Sequence, residues 1–249
     1  MVSIKSQSEI ALMREAGKIL AKTHEELKNA IHPGMSTLEI DRLGEKIIRG
    51  YGCIPSFLNY NGYPASICVS VNDEVVHGIP SADRILMEGD IVSLDAGVIY
   101  KGYHADAART YGVGQISPEA QKLIDVTKQS FFEGIKMAKD GNHLHDISNA
   151  IADYCESFGY GVVRDLVGHG IGKNLHEDPQ IPNFHQRRRG IKLSKGMTLA
   201  IEPMVNAGSY DVYWLDDDWT VVSDDGSLSA HYENTILITD GEPEILTIL

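Results

Sequence analysis

Cysteine is scarce in this chain of 249 residues, with Cys53, Cys68 and Cys155 the only three. They form no CxxC pair and are odd in number, so a disulfide framework or a zinc ribbon is poorly supported. A reducing cytosol fits best. No apolar run reaches the roughly 18 residues that cross a bilayer. The opening stretch, MVSIKSQSEIALMREAGKIL, is charged and helical in pattern and lacks the apolar core of a signal peptide. Cytoplasmic residence without membrane association is therefore expected. Positive charge is also in short supply: the formal net charge is −13. Phosphate contacts need clustered cations, which argues against a dedicated nucleic-acid binder. The one basic cluster, Arg187-Arg188-Arg189, reads as a solvated loop. No linker or low-complexity segment divides the chain, and its length fits one large domain, taken as 1–249.

What is present is helical punctuation and paired strands. Ser6 and Glu9 have capping-box spacing, and Ile10, Met13, Ala16, Gly17, Leu20 and Leu27 recur at helical intervals. A second helix opens at Ser36-Thr37-Leu38-Glu39 and ends near Gly50 and Gly52. Strand-like stretches follow at 66–71 and 90–112. Ser117-Pro118 starts a third helix, with serine as N-cap and proline at the first helical position. A fourth spans roughly 143–158. The chain echoes itself at an offset of 107 residues: Gly34, Ile40 and Gly52 fall on Gly141, Ile147 and Gly159, and Asp95 falls on Glu202. Each echo is weak alone. Together they predict two similar α/β halves, roughly 6–112 and 117–240, facing each other across a groove.

Acidic residues stand where apolar ones are expected. The segment DIVSLDAGVIYKGYHADAARTYGVG predicts a hairpin that turns at Tyr100-Lys101-Gly102. A turn centred between Tyr100 and Lys101 would set Asp95 directly opposite Asp106. Side chains so paired lie about 4.5–5.5 Å apart at Cβ. Two carboxylates that close repel unless a proton or a cation lies between them, and the apolar flanks (Ile91, Val92, Leu94, Ala96, Val98) raise the cost of leaving that charge unbalanced. Glu202 in LAIEPMV and Glu233 in SAHYENTILIT are likewise acids within apolar strands, and His169 lies in the glycine-rich VGHGIG. Four carboxylates balance two divalent ions, and so oxygen-rich a set suits manganese, iron(II) or cobalt. Taken singly, each has a plainer reading. Asp106 could pair with Arg109, either glutamate with a lysine or arginine, and His169 could be a hydrogen-bonded core histidine.

The order Asp95, Asp106, His169, Glu202, Glu233 resembles the ligand set of the methionine aminopeptidases, bacterial type I, within the creatinase-like "pita-bread" superfamily. The motifs VNDEVVHGIP, GHGIG, LHEDPQIPN and GMTLAIEPMVNAG carry the likeness over essentially the whole chain. The resemblance implies an α+β fold, a curved and mainly antiparallel sheet covered by helices, with the metal site in the central groove. It implies two divalent ions (cobalt, manganese or iron(II), with zinc or nickel as further candidates) bridged by Asp106 and Glu233. Asp95 would complete one shell, His169 and Glu202 the other. A hydroxide shared by the ions would attack the first peptide bond, with Glu202 moving the proton. His77 would contact the substrate near the scissile amide, and His176 the scissile carbonyl. The methionine slot would use Tyr60, Tyr63, Cys68, His77 and Trp219, with Phe57 and Leu175 at its edges, where the family pattern has Cys and Phe. A monovalent cation would sit near Asn72 and Ser229.

The implied activity is removal of the initiator methionine from nascent polypeptides when the second residue is small, by a monomer in passing contact with ribosomes. A proline-specific aminopeptidase or prolidase is the nearest rival, although such enzymes usually carry an extra N-terminal domain. A catalytically inactive binding member of the fold is the other. Because the chain begins Met1-Val2, it is expected to trim its own N-terminus in trans. Intact mass of active protein made without other such enzymes should lack one methionine, and full retention would reject this.

Overall fold

The computed structural model describes residues 2–249; Met1, on which the self-trimming expectation falls, lies outside them. The N-terminal elements are α1 (Gln7–Ala30), α2 (Thr37–Gly50), β1 (Ile54–Pro55), β2 (Ile67–Val71), β3 (Glu74–Val76), β4 (Ile91–Tyr100) and β5 (Tyr103–Gly112). Then come α3 (Pro118–Ile135), α4 (Leu144–Glu156), β6 (Gly161–Val162), β7 (Gly168–Gly170), β8 (Glu177–Ile181), β9 (Thr198–Ile201) and β10 (Met204–Asn206). The chain closes with β11 (Val212–Trp214), β12 (Val221–Ser223), β13 (Ser229–His231), β14 (Asn234–Leu237) and β15 (Glu244–Ile245).

The helix starts follow from their caps. Ser6 and Ser36 each accept from the backbone N–H three residues on, while Glu9 and Glu39 accept from the cap residue's own N–H. Ser117 caps α3 and Pro118 fills its first position. The predicted stripe of α1 is buried in full, and Leu20, Leu27 and Ile40 join Val69, Val92 and Leu94 in one core under α1 and α2. A second core packs Phe131, Ile147 and Ile151 from α3 and α4 against Leu199, Val205 and Ile236.

Every strand pairing is antiparallel among the described residues. β4 carries β5 along one edge and β2 and β1 along the other, and the largest sheet runs β15-β14-β9-β7-β8. These two sheets meet where β5 passes β14. There the Thr235 hydroxyl accepts from Asp106 N–H and donates to Asp106 C=O, both at 2.9 Å, and Glu233 N–H donates to Ala108 C=O at 2.9 Å.

One expectation is corrected. The hairpin turns at Lys101-Gly102, both at positive φ (49° and 83°), so Tyr100 pairs with Tyr103. This is the two-residue primed turn whose twist matches that of its strands, and glycine makes it accessible. Asp95 therefore faces Ala108 and Asp106 faces Gly97. The two acids are diagonal neighbours on one face instead of direct partners. The electrostatic conflict survives, because the pleat repeats every two residues.

Gly17 lets α1 lie against the chain just after β15: a Cβ there would stand 2.0 Å from the Leu246 carbonyl oxygen. Gly17→Ala should cost about 1–3 kcal/mol through forced separation of the two. Denaturant unfolding would show it, and an unchanged midpoint would contradict the packing.

Candidate metal centre and substrate cavity

Each proposed ligand sits at or beside a strand. Asp95 and Asp106 stand on β4 and β5 and His169 on β7. Glu202 follows β9 directly, and Glu233 lies between β13 and β14. His169 is in register with Ala200 of β9, and Ile201 of β9 with Asn234 of β14, which draws His169, Glu202 and Glu233 to one level. The five line a single cavity of about 260 Å³. Ligand atoms of Asp106, His169 and Glu233 all lie within 4.8 Å of one another. His169 Nε2 is 3.5 Å from Glu202 Oε1 and 3.8 Å from Asp106 Oδ2.

Their protonation is abnormal, and the cause is burial. Desolvation, with some relief from a hydrogen bond to Asp106, pushes Asp95 up to about 7. Desolvation first, then the charges of neighbouring acids, raises Asp106, Glu202 and Glu233 well above the usual carboxylate range. Burial lowers His169 to about 3, so it is neutral. Its Nδ1 contacts the Gly170 carbonyl at 2.8 Å. A carbonyl only accepts, so Nδ1 carries the proton and Nε2 offers a lone pair to the acids. That is the tautomer a ligating histidine needs.

The donors fit divalent cations. Among the described residues, Asp95 Oδ1, Asp106 Oδ1 and Glu233 Oε1 are the carboxylate oxygens buried without any hydrogen-bond partner, and all three line this one cavity. Oxygen and imidazole donors converging in one cavity suit catalytic first-row metals. The ion-pair readings of Asp106, Glu202 and Glu233 find no support. Arg109 turns from Asp106 to hold the main-chain carbonyl of Glu233, Asn234 Oδ1 at 2.5 Å and the Tyr232 ring. No salt bridge to a lysine or arginine is present at Glu202 or Glu233 among the described residues.

The residues predicted to contact substrate line the same cavity. Tyr63, Cys68, Phe57 and Leu175 are buried in one cluster, with Tyr60 and Trp219 packed against it. Trp219 meets Tyr63 edge-on, with centroids 5.1 Å apart, and His77 at 6.4 Å. His77 has φ 60°, uncommon for a side-chain-bearing residue and typical of functional loops. Burial lowers its imidazole to about 4. His176 stands at the exposed mouth, its ring 4.2 Å from that of His169 and its Nδ1 2.8 Å from the Tyr60 hydroxyl. Asn72 and Ser229 meet outside the cavity, Ser229 N–H donating to Asn72 C=O at 2.8 Å. Five lining residues escaped the sequence reading: Asn61, Val76, Leu166, Val167 and Met204. Each is within two positions of a predicted site residue or of the GHGIG motif, which was the signal available.

An antiparallel, helix-covered fold with this donor set at its centre defines a metal-dependent hydrolase. The profile of metallopeptidase family M24 matches residues 11–240. Methionine aminopeptidase of Clostridium acetobutylicum is 58% identical over all of this chain and 99% of its own. The crystal structure of methionine aminopeptidase from Thermotoga maritima superposes with a TM-score of 0.98 at 46% identity, each chain covered in full. Xaa-Pro dipeptidase from Bacillus anthracis gives 0.80 at 27% identity, and only 61% of that chain is covered. The chain belongs to metallopeptidase family M24, among the methionine aminopeptidases, and has their pita-bread fold.

A carboxyl whose folded pKa lies above its unfolded value stabilises fully below the unfolded value and loses that contribution as pH rises through the folded one. For Asp95 the window runs from about 4 to about 7. In chelator, wild-type protein should lose thermal stability relative to Asp95→Asn across this window, and a divalent ion should restore it. A gap that does not change with pH would contradict the assignment.

Proposed function

We propose that this chain removes the N-terminal methionine of nascent proteins and peptides whose second residue is small. The observation that carries this is the single cavity, where partnerless carboxylate oxygens and a lone pair of neutral His169 face a slot walled by Tyr63, Phe57, Leu175 and Trp219. Asp106 and Glu233 would hold two divalent ions in common, Asp95 one of them, and His169 with Glu202 the other. Cobalt, manganese and iron(II) suit the donors, with zinc and nickel as alternatives. When bound, such ions acidify water and polarise a carbonyl.

The protein's own groups do the rest. Glu202, ionised beside the bound ions, takes a proton from the attacking water and delivers it to the departing amine. If the Tyr60 hydroxyl donates to His176 Nδ1, then Nε2 carries a proton and stabilises the developing oxyanion. His77, neutral and held by its turn, contacts the substrate near the scissile amide. The slot's apolar and aromatic walls suit a polarisable thioether. Phe57 and Leu175 both line it and belong to one buried cluster.

One catalytic domain is the unit proposed, built from related halves. α1 and α2 start 111 and 107 residues before α3 and α4, and β4 and β9 both begin 107 residues apart. A monovalent cation near Asn72 and Ser229 is part of the reading, as are a monomeric state and transient contact with ribosomes. Among the described residues no helix is long and apolar enough to cross a membrane. A cytoplasmic site of action is a further part of the reading.

Asp106→Ala should abolish turnover of Met-Ala-Ser, a loss of at least about a thousandfold, since a shared ligand leaves both ions. Chelation should do the same and added divalent ion reverse it, in the wild type only. X-Pro peptides should be poor substrates. Faster cleavage of X-Pro than of Met-Ala-Ser would favour the prolidase reading, and unimpaired Asp106→Ala would end the metal mechanism.

A further inference from the structure

Lysine is almost never fully buried unless it is paired, yet Lys5 is 8% exposed and lies ahead of the first helix. Its ammonium donates to Glu177 Oε2 at 2.7 Å and to the Ser3 hydroxyl, and Ser3 Oγ donates to the same carboxylate oxygen at 3.0 Å. The Lys5 and Glu177 side chains are 5% and 13% exposed, so this pair is shielded from water unlike most of the ion pairs on the surface. The backbone of Lys5 is pinned as well, its N–H donating to the Gly196 carbonyl at 2.9 Å.

Glu177 is the residue after His176. It opens β8, and with its other oxygen it accepts from Asn174 N–H at 3.2 Å. It thus closes the turn 174–177, which carries both Leu175 of the slot and His176 of the mouth. The loop has other holds: Gly172 N–H donates to Asn174 C=O at 3.1 Å, and His176 Nδ1 lies 2.8 Å from the Tyr60 hydroxyl. Gly172 C=O accepts from His104 N–H at 2.8 Å, and Lys173 stands 3.7 Å from Glu9. At Gly172, the last glycine of GHGIG, a Cβ would lie 2.5 Å from Lys5 Cε and 2.8 Å from Glu177 Oε1, so a side chain there would displace the ends of both partners.

The geometry points to Lys5 as a positioning residue: through the buried Lys5–Glu177 pair, the N-terminal arm holds the turn that aims His176 at the scissile carbonyl. Lys5 touches no substrate. It acts by keeping the imidazole in place, and a ring displaced by about 1 Å can lose a hundredfold in rate. This inference rests on the oxyanion role proposed for His176. It predicts that residues far from the cavity in sequence set its turnover, and that the arm is part of the working enzyme.

The test is a double-mutant cycle on metal-loaded protein with Met-Ala-Ser. Lys5→Met should lower kcat by about ten- to hundredfold with KM changed less than about threefold, since an interaction made in the transition state is lost. Lys5→Arg, which keeps the charge, should recover most of it. In His176→Ala the further change Lys5→Met should add less than about twofold, because residues acting as one unit are not additive. Amide exchange across 172–177, read by mass spectrometry, should quicken in Lys5→Met while exchange in β4, β5 and β14 stays as in the wild type. Full additivity in the cycle, or exchange that quickens throughout the protein, would overturn the proposal in favour of a purely structural pair. Wild-type protein inert on methionyl peptides, with the local exchange difference still present, would instead refute the oxyanion role and leave the clamp standing.

Discussion

Four carboxylates forced together away from water are the constraint around which this molecule is organised. At about 4 Å, with an effective dielectric constant near 20, two ionised carboxylates would repel by about 4 kcal/mol. No lysine or arginine in the described structure approaches these acids as a salt-bridge partner, and Arg109, the nearest arginine by sequence, is spent on backbone carbonyls behind them. The fold instead holds the acids rigid from behind. The Thr235 hydroxyl grips both main-chain groups of Asp106, and the Glu233 amide is tied to Ala108. Burial and mutual proximity thus favour the protonated acids, and a pair of divalent ions would favour their ionised forms.

Two kinds of support surround that centre. The proposed ligands stand on or beside paired strands, covered by helix-lined cores on either side, as a site of fixed geometry requires. The residues proposed to meet substrate stand on irregular backbone: His77 at a positive-φ position, Tyr60 in a short 3-10 turn, His176 and Leu175 in the loop between β7 and β8. Loops can be shaped to a substrate, but they need outside anchors. Tyr60, His104 and the N-terminal arm supply them.

Much of this was legible beforehand because the physics is local. Capping pairs such as Ser6–Glu9 and Ser36–Glu39 act within four residues, and the stripe of α1 shows its period directly. Acids embedded in β-rich apolar runs were visible for the same reason, since burial of the run is written in its neighbours. The hairpin register was not legible. It depends on whether Lys101 adopts a left-handed conformation, and a shift of the turn by one residue moves the partner of Asp95 by two, from Asp106 to Ala108. The exchange of size at positions 57 and 175 was also opaque. Both side chains fall in one cluster, and the Phe57 ring closes over Gly97, where a Cβ would come within 3.0 Å of it.

The sequence by itself determined which residues would be helical, which acids would be buried, and the chemistry those acids demand, because each follows from composition over a few neighbouring positions. Only the tertiary structure decided which oxygens face one another, which face of His169 is free, and that Lys5 reaches across the chain to Glu177. Those outcomes turn on strand register and on contacts between residues more than a hundred positions apart, where a displacement of one peptide redirects a side chain and no local preference sets the choice.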